Sequence, residues 1–297
     1  MSRVIVIGPG AIGCTVGGAL LREGHDVIFC GRRPFDHLRV HKDGEVEQAV
    51  PAHVLTTAAG LTPGDWLLVC VKAHQVTSAV EWLRLGIAAD TKVAVLQNGV
   101  EQRENVEPFV APRTPIVPVV VDLPATRMGP GHVVWRRKAK LSAPDDADGR
   151  AFCMLFRKSF IEATSTDDFV TMAWRKLCLN APDGAILTLT GQPRRVWHKP
   201  GIADLGRAIL RECIAVGRAE GAKIDESLIE PQIISFLSAP PDEGNSMYID
   251  RMAGRETEWN ARNGVIVRKA AKHDIAVPVS AALAALLAAQ EARLRPV

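Results

Sequence analysis

Residues 3–13 constrain the fold more than any other stretch of the chain. Arg3–Ile7 is a short apolar, β-branched run, and Gly8-Pro9-Gly10-Ala11-Ile12-Gly13 follows it directly with the spacing G-x-G-x-x-G. Helical spacing then covers Ala11–Glu23, Gly24 stops it, and Asp26–Cys30 reads as a second strand. Strand, glycine turn, helix and strand make one βαβ unit. In such a unit the first glycine makes the tight turn, the second lets the backbone approach a pyrophosphate, and the third lets helix pack on strand. The pyrophosphate rests on the unpartnered N–H groups and positive dipole end of the helix. A plain βα turn would also use glycines, but the strand before and the helix after are what a dinucleotide fingerprint requires.

The end of the second strand separates NAD from NADP. An NAD site usually places Asp or Glu there, on the ribose 2′-hydroxyl. This chain continues Cys30-Gly31-Arg32-Arg33. No acid is present to repel a 2′-phosphate, and a guanidinium can pair with one. NADP is the expected cofactor, with Arg32 on the phosphate; the alternative is that both arginines are solvated loop charges. Two further strand ends bear on the same crevice. Val69-Cys70-Val71-Lys72 places a lysine where it reaches cofactor phosphate or ribose. Leu96-Gln97-Asn98-Gly99 ends in a dipeptide that signals either a hairpin turn or a crevice loop, and the helix-like stretch after it favours the loop.

Further strands are expected at Trp66–Val71, Lys92–Leu96 and Pro115–Val121, and helices at Gln75–Leu85 and Glu101–Val110. This alternation implies a parallel sheet covered on both faces. Val133–Arg136 and Ala139–Ser142 read as an added hairpin. Thr164-Ser165-Thr166-Asp167-Asp168 reads as a helix N-cap cluster with acids in the first turn. Beyond it the pattern is helical over 168–181, 201–219, 225–238, 246–272 and 279–293, with a loop over 238–244. The expected fold is α/β: a Rossmann-like, doubly wound parallel sheet over residues 1–166 that binds NADP, then an all-helical domain over 167–297, to which the family resemblance given below assigns substrate and catalysis.

Bulk composition excludes several other classes. A net charge of +3, with no block of five or six like charges, does not suit nucleic acid. The six cysteines are scattered without a C-x-x-C pair, and read as small buried hydrophobes of a reducing compartment. His37 and His41 have ligand-like spacing but no third ligand nearby, so they read as surface histidines and no metal site is expected. The apolar start carries glycines and a proline that break a continuous helix, so a membrane span is not expected and the reading is cytoplasmic. A homodimer is compatible with the chain, whose sequence does not fix the oligomeric state.

In W-R-K-L-C-L-N at residues 174–180, Trp174, Leu177, Cys178 and Leu179 suit a buried helix, whereas Lys176 and Asn180 project one turn apart from a single face. That face looks either at water or into a pocket. The surrounding motifs favour the pocket. They are the glycine turn at Gly8–Gly13, V-K-A-x-Q at Val71–Gln75, N-G at Asn98–Gly99 and K-L-x-x-N at Lys176–Asn180. The longest is S-M-x-x-D-x-x-x-G-R-x-T-E at Ser246–Glu258, followed by Asn263-Gly264. With these residues the chain resembles, over nearly its whole length, the ketopantoate reductase (2-dehydropantoate 2-reductase) family.

The resemblance implies NADPH-dependent reduction of a small 2-oxo acid, ketopantoate to pantoate, in pantothenate and coenzyme A biosynthesis. It makes Lys176 the general acid and places Glu258 near cofactor and substrate. It puts Asn98, Asn180 and Ser246 on substrate or nicotinamide ribose, and Gly8, Pro9, Gly10, Ala11, Ile12, Gly13, Lys72 and Gln75 at cofactor positions. The chemistry is consistent: reduction at a 2-oxo carbon leaves charge on the carbonyl oxygen, which an ammonium stabilises and protonates. Asp250 is assigned to structure, pairing with Arg251 or Arg255. The chain departs from the family pattern where the family commonly has a further asparagine, at Gly184, and again at Glu243; both departures fall on the part that reads the substrate. A reductase of the same fold for another 2-oxo acid or hydroxy compound therefore stays open. So does an NADP-sensing protein without turnover, although a sensor would not need Lys176 together with Glu258.

Overall fold

The computed structural model describes residues 1–45 and 48–292. Arg293, the last residue of the expected 279–293 helix, lies outside the described residues. The chain divides into two compact units: residues 1–97 with 102–169, and residues 98–101 with 170–297.

The elements of the first unit are, in order, β1 (Arg3–Ile7), α1 (Ala11–Arg22), β2 (Asp26–Cys30), β3 (His37–Lys42), β4 (Ala49–Pro51), β5 (His53–Leu55) and β6 (Trp66–Val69). Then come α2 (Val80–Gly86), β7 (Lys92–Val95), α3 (Gln102–Val106), β8 (Ile116–Pro118), β9 (Val120–Asp122), β10 (Ala125–Gly129), β11 (His132–Trp135), β12 (Ala139–Pro144), α4 (Ala147–Met154) and β13 (Ile161–Thr166). Six strands form one parallel sheet in the order β5-β2-β1-β6-β7-β8. β1 lies between β2 and β6, so the connection direction reverses beside the glycine turn, where doubly wound sheets bind ligands. The register sets Leu55, Cys30, Ile7, Val69, Val95 and Pro118 in one row. The strands therefore end together, and the loops after them leave from one edge. Alternate residues feed opposite faces: Val4, Val6 and Phe29 enter one apolar cluster, Ile5, Ile7 and Ile28 another. That double burial explains the unbroken apolar runs.

Three local expectations fail, because long-range pairing overrides local pattern. Val133–Arg136 and Ala139–Ser142 do not form a hairpin. β11 pairs with β10 and β3, whereas β12 pairs with β13 and β9 in a separate sheet, and the chain turns between them at Arg137, whose φ is 62°. Residues 164–166 are the end of β13, not a helix cap; the acids Asp167 and Asp168 precede the helix and none lies in its first turn. The 37–42 stretch, polar at first sight, is a strand with Leu38 and Val40 buried and His37, Arg39 and Lys42 exposed. His41 is half-buried there, its ring centroid 5.6 Å from that of His132, so it is not a plain surface histidine.

The second unit contains α5 (Phe169–Thr190), α6 (Ile202–Ala219), α7 (Ile229–Ser238), α8 (Ser246–Met252), α9 (Val265–Lys272) and α10 (Pro278–Ala292). α5 runs through Pro182, past the expected stop at 181. A proline there removes one backbone bond and strains the turn before it. Apolar burial of Trp174, Leu177, Cys178, Ala181 and Ala185 on either side offsets this. The single helix expected over 246–272 is broken instead. Gly254 turns left-handed at φ 64°, and Asn260–Gly264 form a π-helical turn before α9. Asp250 takes the Arg255 alternative, bonded by its Nε at 2.9 Å. Burial pushes the Cys14 and Cys30 thiols up to about 12, so these cysteines stay protonated and act as small hydrophobes.

One clip ties α6 to α9. Glu220, which caps α6, accepts from Lys269 Nζ at 2.9 Å and meets His273 Nε2 at 2.6 Å. Burial alone would raise this carboxyl, but the bonds and charges of His273 and Lys269 outweigh it, so Glu220 titrates below the usual glutamate range. A lowered folded-state value means stability that is present above the unfolded-state pKa, about 4.3, and lost as pH falls through the folded one. Glu220→Gln should lower Tm at pH 7 by about 3–8 °C, the loss of charge-assisted bonds in a domain of this size. It should also flatten the fall of Tm below about pH 4.3; thermal unfolding followed by circular dichroism across pH checks both.

Candidate active site

The glycine turn of the first unit is built as a cradle. Gly8 takes φ 92°, its N–H donates to Cys30 O at 2.9 Å, and the Gly10 N–H donates back to Gly8 O at 2.8 Å. A Cβ on Gly13 would stand 2.3 Å from Gly8 O, so the helix can approach the turn only with glycine there. A Cβ on Gly10, in contrast, would meet nothing within 4 Å. Gly10 caps α1 without a side-chain bond, and no acid lies in the first turn. The open space at Gly10 and the uncapped helix start fit a pyrophosphate.

The neighbouring loops leave the same sheet edge. Pro9 packs over Gly31, where an added Cβ would lie 2.5 Å from Pro9 Cγ. This contact carries the chain out to Arg32 and Arg33, both exposed. After β6, Lys72 caps a 3-10 turn over Ala73–Ala79, the Gln75 N–H donates to Lys72 O at 2.8 Å, and both side chains are half-buried. Gln97 closes the next loop by donating to Val71 O at 2.9 Å.

The second unit holds a different set. Lys176 and Asn180 lie one turn apart on α5, both half-buried. Asn180 Nδ2 donates to Asn98 Oδ1 at 3.3 Å, and Asn98 Nδ2 donates to Glu258 Oε2 at 2.9 Å. Asn98 sits there because residues 98–101 belong to this unit: Val100 joins its core and Glu101 takes Arg268 at 2.5 Å. Gly99, at φ 96°, passes so near Ala261 O that a Cβ would come within 2.6 Å. The Asn-Gly pair is thus a packed loop, not a hairpin.

Glu258 is 7% exposed and Arg262, one turn on, only 3%. Arg262 Nη2 lies 3.6 Å from Glu258 Oε2 and donates to Ser246 Oγ at 2.8 Å. Ser246 is exposed and opens α8; Asn245 caps that helix by accepting from the Tyr248 N–H at 3.0 Å. Asn245 Nδ2 donates in turn to Asp183 Oδ2 at 2.9 Å. Asp183 also accepts from Trp197 Nε1 at 3.0 Å and Arg194 Nη2 at 3.2 Å. Asn98, Asn180, Glu258 and Ser246 are therefore joined in one network.

Arg262, Asp183 and Asn245 were not foreseen. For Arg262 the signal existed: it stands four residues after Glu258, the spacing of a helical ion pair. Asp183 lies in an apolar run and gives no such signal. Glu243 does not stand alone at the position of a family asparagine; it lies 3.5 Å from Arg194 Nη1, beside Asp183. Among the described residues no cluster of three or more metal-ligating side chains occurs, and no helix is long and apolar enough to cross a membrane.

Comparison with known proteins agrees with this architecture. The profile of ketopantoate reductase PanE/ApbA matches residues 4–146, and that of the ketopantoate reductase PanE/ApbA C terminal matches residues 168–291. A 2-dehydropantoate 2-reductase of Caulobacter vibrioides is 42% identical, over 97% of this chain and 98% of its own. The structure of a dimeric ketopantoate reductase from Staphylococcus aureus is similar at a TM-score of 0.89 and 25% identity, covering 99% of this chain and all of the other. A D-mandelate dehydrogenase bound to NADH and anilino(oxo)acetate shares the fold at a TM-score of 0.89 and 23% identity, over 98% of this chain and 99% of that one. With both family profiles matched and a relative this similar along nearly the full length, the chain belongs to the ketopantoate reductase family, oxidoreductases that act on CH–OH groups with a nicotinamide cofactor.

Proposed function

We propose that the protein uses NADPH to reduce a small 2-oxo acid to its 2-hydroxy acid, with 2-dehydropantoate as the first candidate and pantoate as its product, a step of pantothenate and coenzyme A biosynthesis. The observation that carries this reading is the Asn180–Asn98–Glu258–Arg262–Ser246 network, with Lys176 one turn before Asn180. NADPH, when bound, supplies the hydride. Lys176 stabilises the charge that gathers on the carbonyl oxygen and gives up its proton there. Asn180, on the same helix face, orients that oxygen. Glu258, tied to Asn98 and Arg262, holds the substrate. Gly10 and the start of α1 take the pyrophosphate, Arg32 the 2′-phosphate, and Lys72 and Gln75 the rest of the cofactor. A different 2-oxo acid is the second reading. It is favoured by Gly184, which offers no amide, and by Glu243, which faces Arg194.

Steady-state kinetics on 2-dehydropantoate beside unhydroxylated and amine-bearing analogues should rank the hydroxylated acid first. A higher kcat/KM for either analogue would assign another substrate.

Cofactor choice has its own test. Arg32→Ala should raise the Kd for NADPH about tenfold or more, the cost of a charge-assisted phosphate contact, and change that for NADH little. Equal wild-type binding of both nucleotides, unchanged in the variant, would make the arginine a bystander. Gly10→Ala should change Tm little, because a Cβ there meets nothing within 4 Å, yet lose cofactor affinity in titrations followed by fluorescence.

Lys176→Ala should leave NADPH binding nearly intact and cut kcat by about 10²–10⁴-fold, the range for a removed general acid. Reduction needs the protonated amine, so the wild-type rate should decline as pH rises, and this alkaline decline should be missing from the variant. A variant that retains both the rate and the decline would place the proton donor elsewhere.

A further inference from the structure

Arg262 is a buried charge of the helical unit whose Nε has no partner among the described residues. A guanidinium carries five N–H donors in a rigid plane. At 3% exposure, that of Arg262 makes one side-chain hydrogen bond among the described residues, to Ser246 Oγ at 2.8 Å. Glu258 Oε2, at 3.6 Å, is near enough to balance charge but beyond hydrogen-bond distance. A buried charge with unused donors is costly to a fold.

We propose that Arg262 binds the carboxylate of the 2-oxo acid and thereby sets the selectivity of the enzyme for acids over neutral ketones. This rests on the reading of the substrate as a 2-oxo acid. Three observations support it. A carboxylate matches the planar fork of a guanidinium in both spacing and charge. The Arg262 tip reaches Ser246, which is exposed, so the buried cation meets solvent there. Since Ser246 accepts from Arg262, its own hydroxyl proton is left to donate to the same carboxylate. Arg262 also offsets Glu258, which by itself would repel an acid. Gly184 lets α5 pass close to this group: an added Cβ would stand 3.0 Å from Met247 Sδ and 3.9 Å from Arg262 Cδ.

The test compares a 2-oxo acid with its neutral methyl ester, using NADPH, in wild type, Arg262→Met and Arg262→Lys. Arg262→Met should raise KM for the acid about 10- to 100-fold. The KM for the ester should rise by a clearly smaller factor, because any disturbance of Glu258 weighs on acid and ester alike while only the acid loses the guanidinium. Arg262→Lys should recover part of the acid preference, because it keeps the charge and loses the fork. Equal losses on acid and ester, or an unchanged acid preference in Arg262→Met, would overturn the proposal and leave Arg262 as a support for Glu258 and Ser246. If Arg262→Met does not fold, Arg262→Lys decides: a raised acid KM with a clearly smaller rise for the ester supports the assignment, and any other result overturns it. Wild type that reduces no 2-oxo acid would instead sink the proposed function, so the two failures are distinguishable.

Discussion

Asp183 is the point from which the helical unit is organised. It lies buried in the middle of α5 and accepts from Trp197, Arg194 and Asn245. A buried carboxylate is tolerated only when donors saturate it, and these three tie α5 to the turn over Arg194–His198 and to the start of α8. Asn245 then caps α8, which places Ser246. Ser246 meets Arg262, Arg262 faces Glu258, Glu258 holds Asn98, and Asn98 returns to Asn180 on α5. The path begins and ends on one helix. Lys176 and Asn180 thus stand on a helix that the network holds near its middle, at Asn180 and Asp183.

The parallel sheet solves a different problem. Its strands are apolar on both faces, so neighbouring backbone and packed helices satisfy them completely, and chemistry is confined to the loops at the strand ends. The aligned register brings Gly8, Gly31 and the approach to Lys72 to a single edge. Glycine is needed there for two separate reasons. At Gly13 any side chain would strike the turn; at Gly10 there is room, and the room fits a ligand. The helical unit uses buried polar groups instead, several of them held from another element, as Asp183 is by Trp197 and Asn245, and Lys269 by Glu220. Removing one partner of such a pair strands the other, at about 3–5 kcal/mol for a buried charge.

Much of this is legible in the residue order alone. The βαβ start, the second strand, the strands at Trp66 and Lys92 and the helical texture beyond residue 168 follow from periodicity and glycine placement, whereas the single strand expected over Pro115–Val121 is two, β8 and β9, in different sheets. Lys176 and Asn180 stood out because their polarity contradicts the apolar face around them. Arg262 did not, although it stands one turn from Glu258. The 246–272 stretch reads as a single helix, and the π-helical turn over Asn260–Gly264 that places Arg262 has no local signature. Asp183 looks like an error in an apolar run until Trp197, Arg194 and Asn245 are seen around it.

By itself the sequence determined the elements whose cause is local: a glycine turn that opens a helix, strands that must be covered on both sides, and arginines where an NAD site would carry an acid. Tertiary structure decided what depends on distant partners. β11 and β12 lie three residues apart yet join different sheets, because β3 and β13 offer each a better ladder than they offer one another. Residues 98–101 leave a strand of the first unit and pack with the second, because Val100, Glu101 and Gly99 each find their partner there. Hydrogen-bond partners and buried charge pairs are set by three-dimensional neighbours, and only the local part of that neighbourhood is written in residue order.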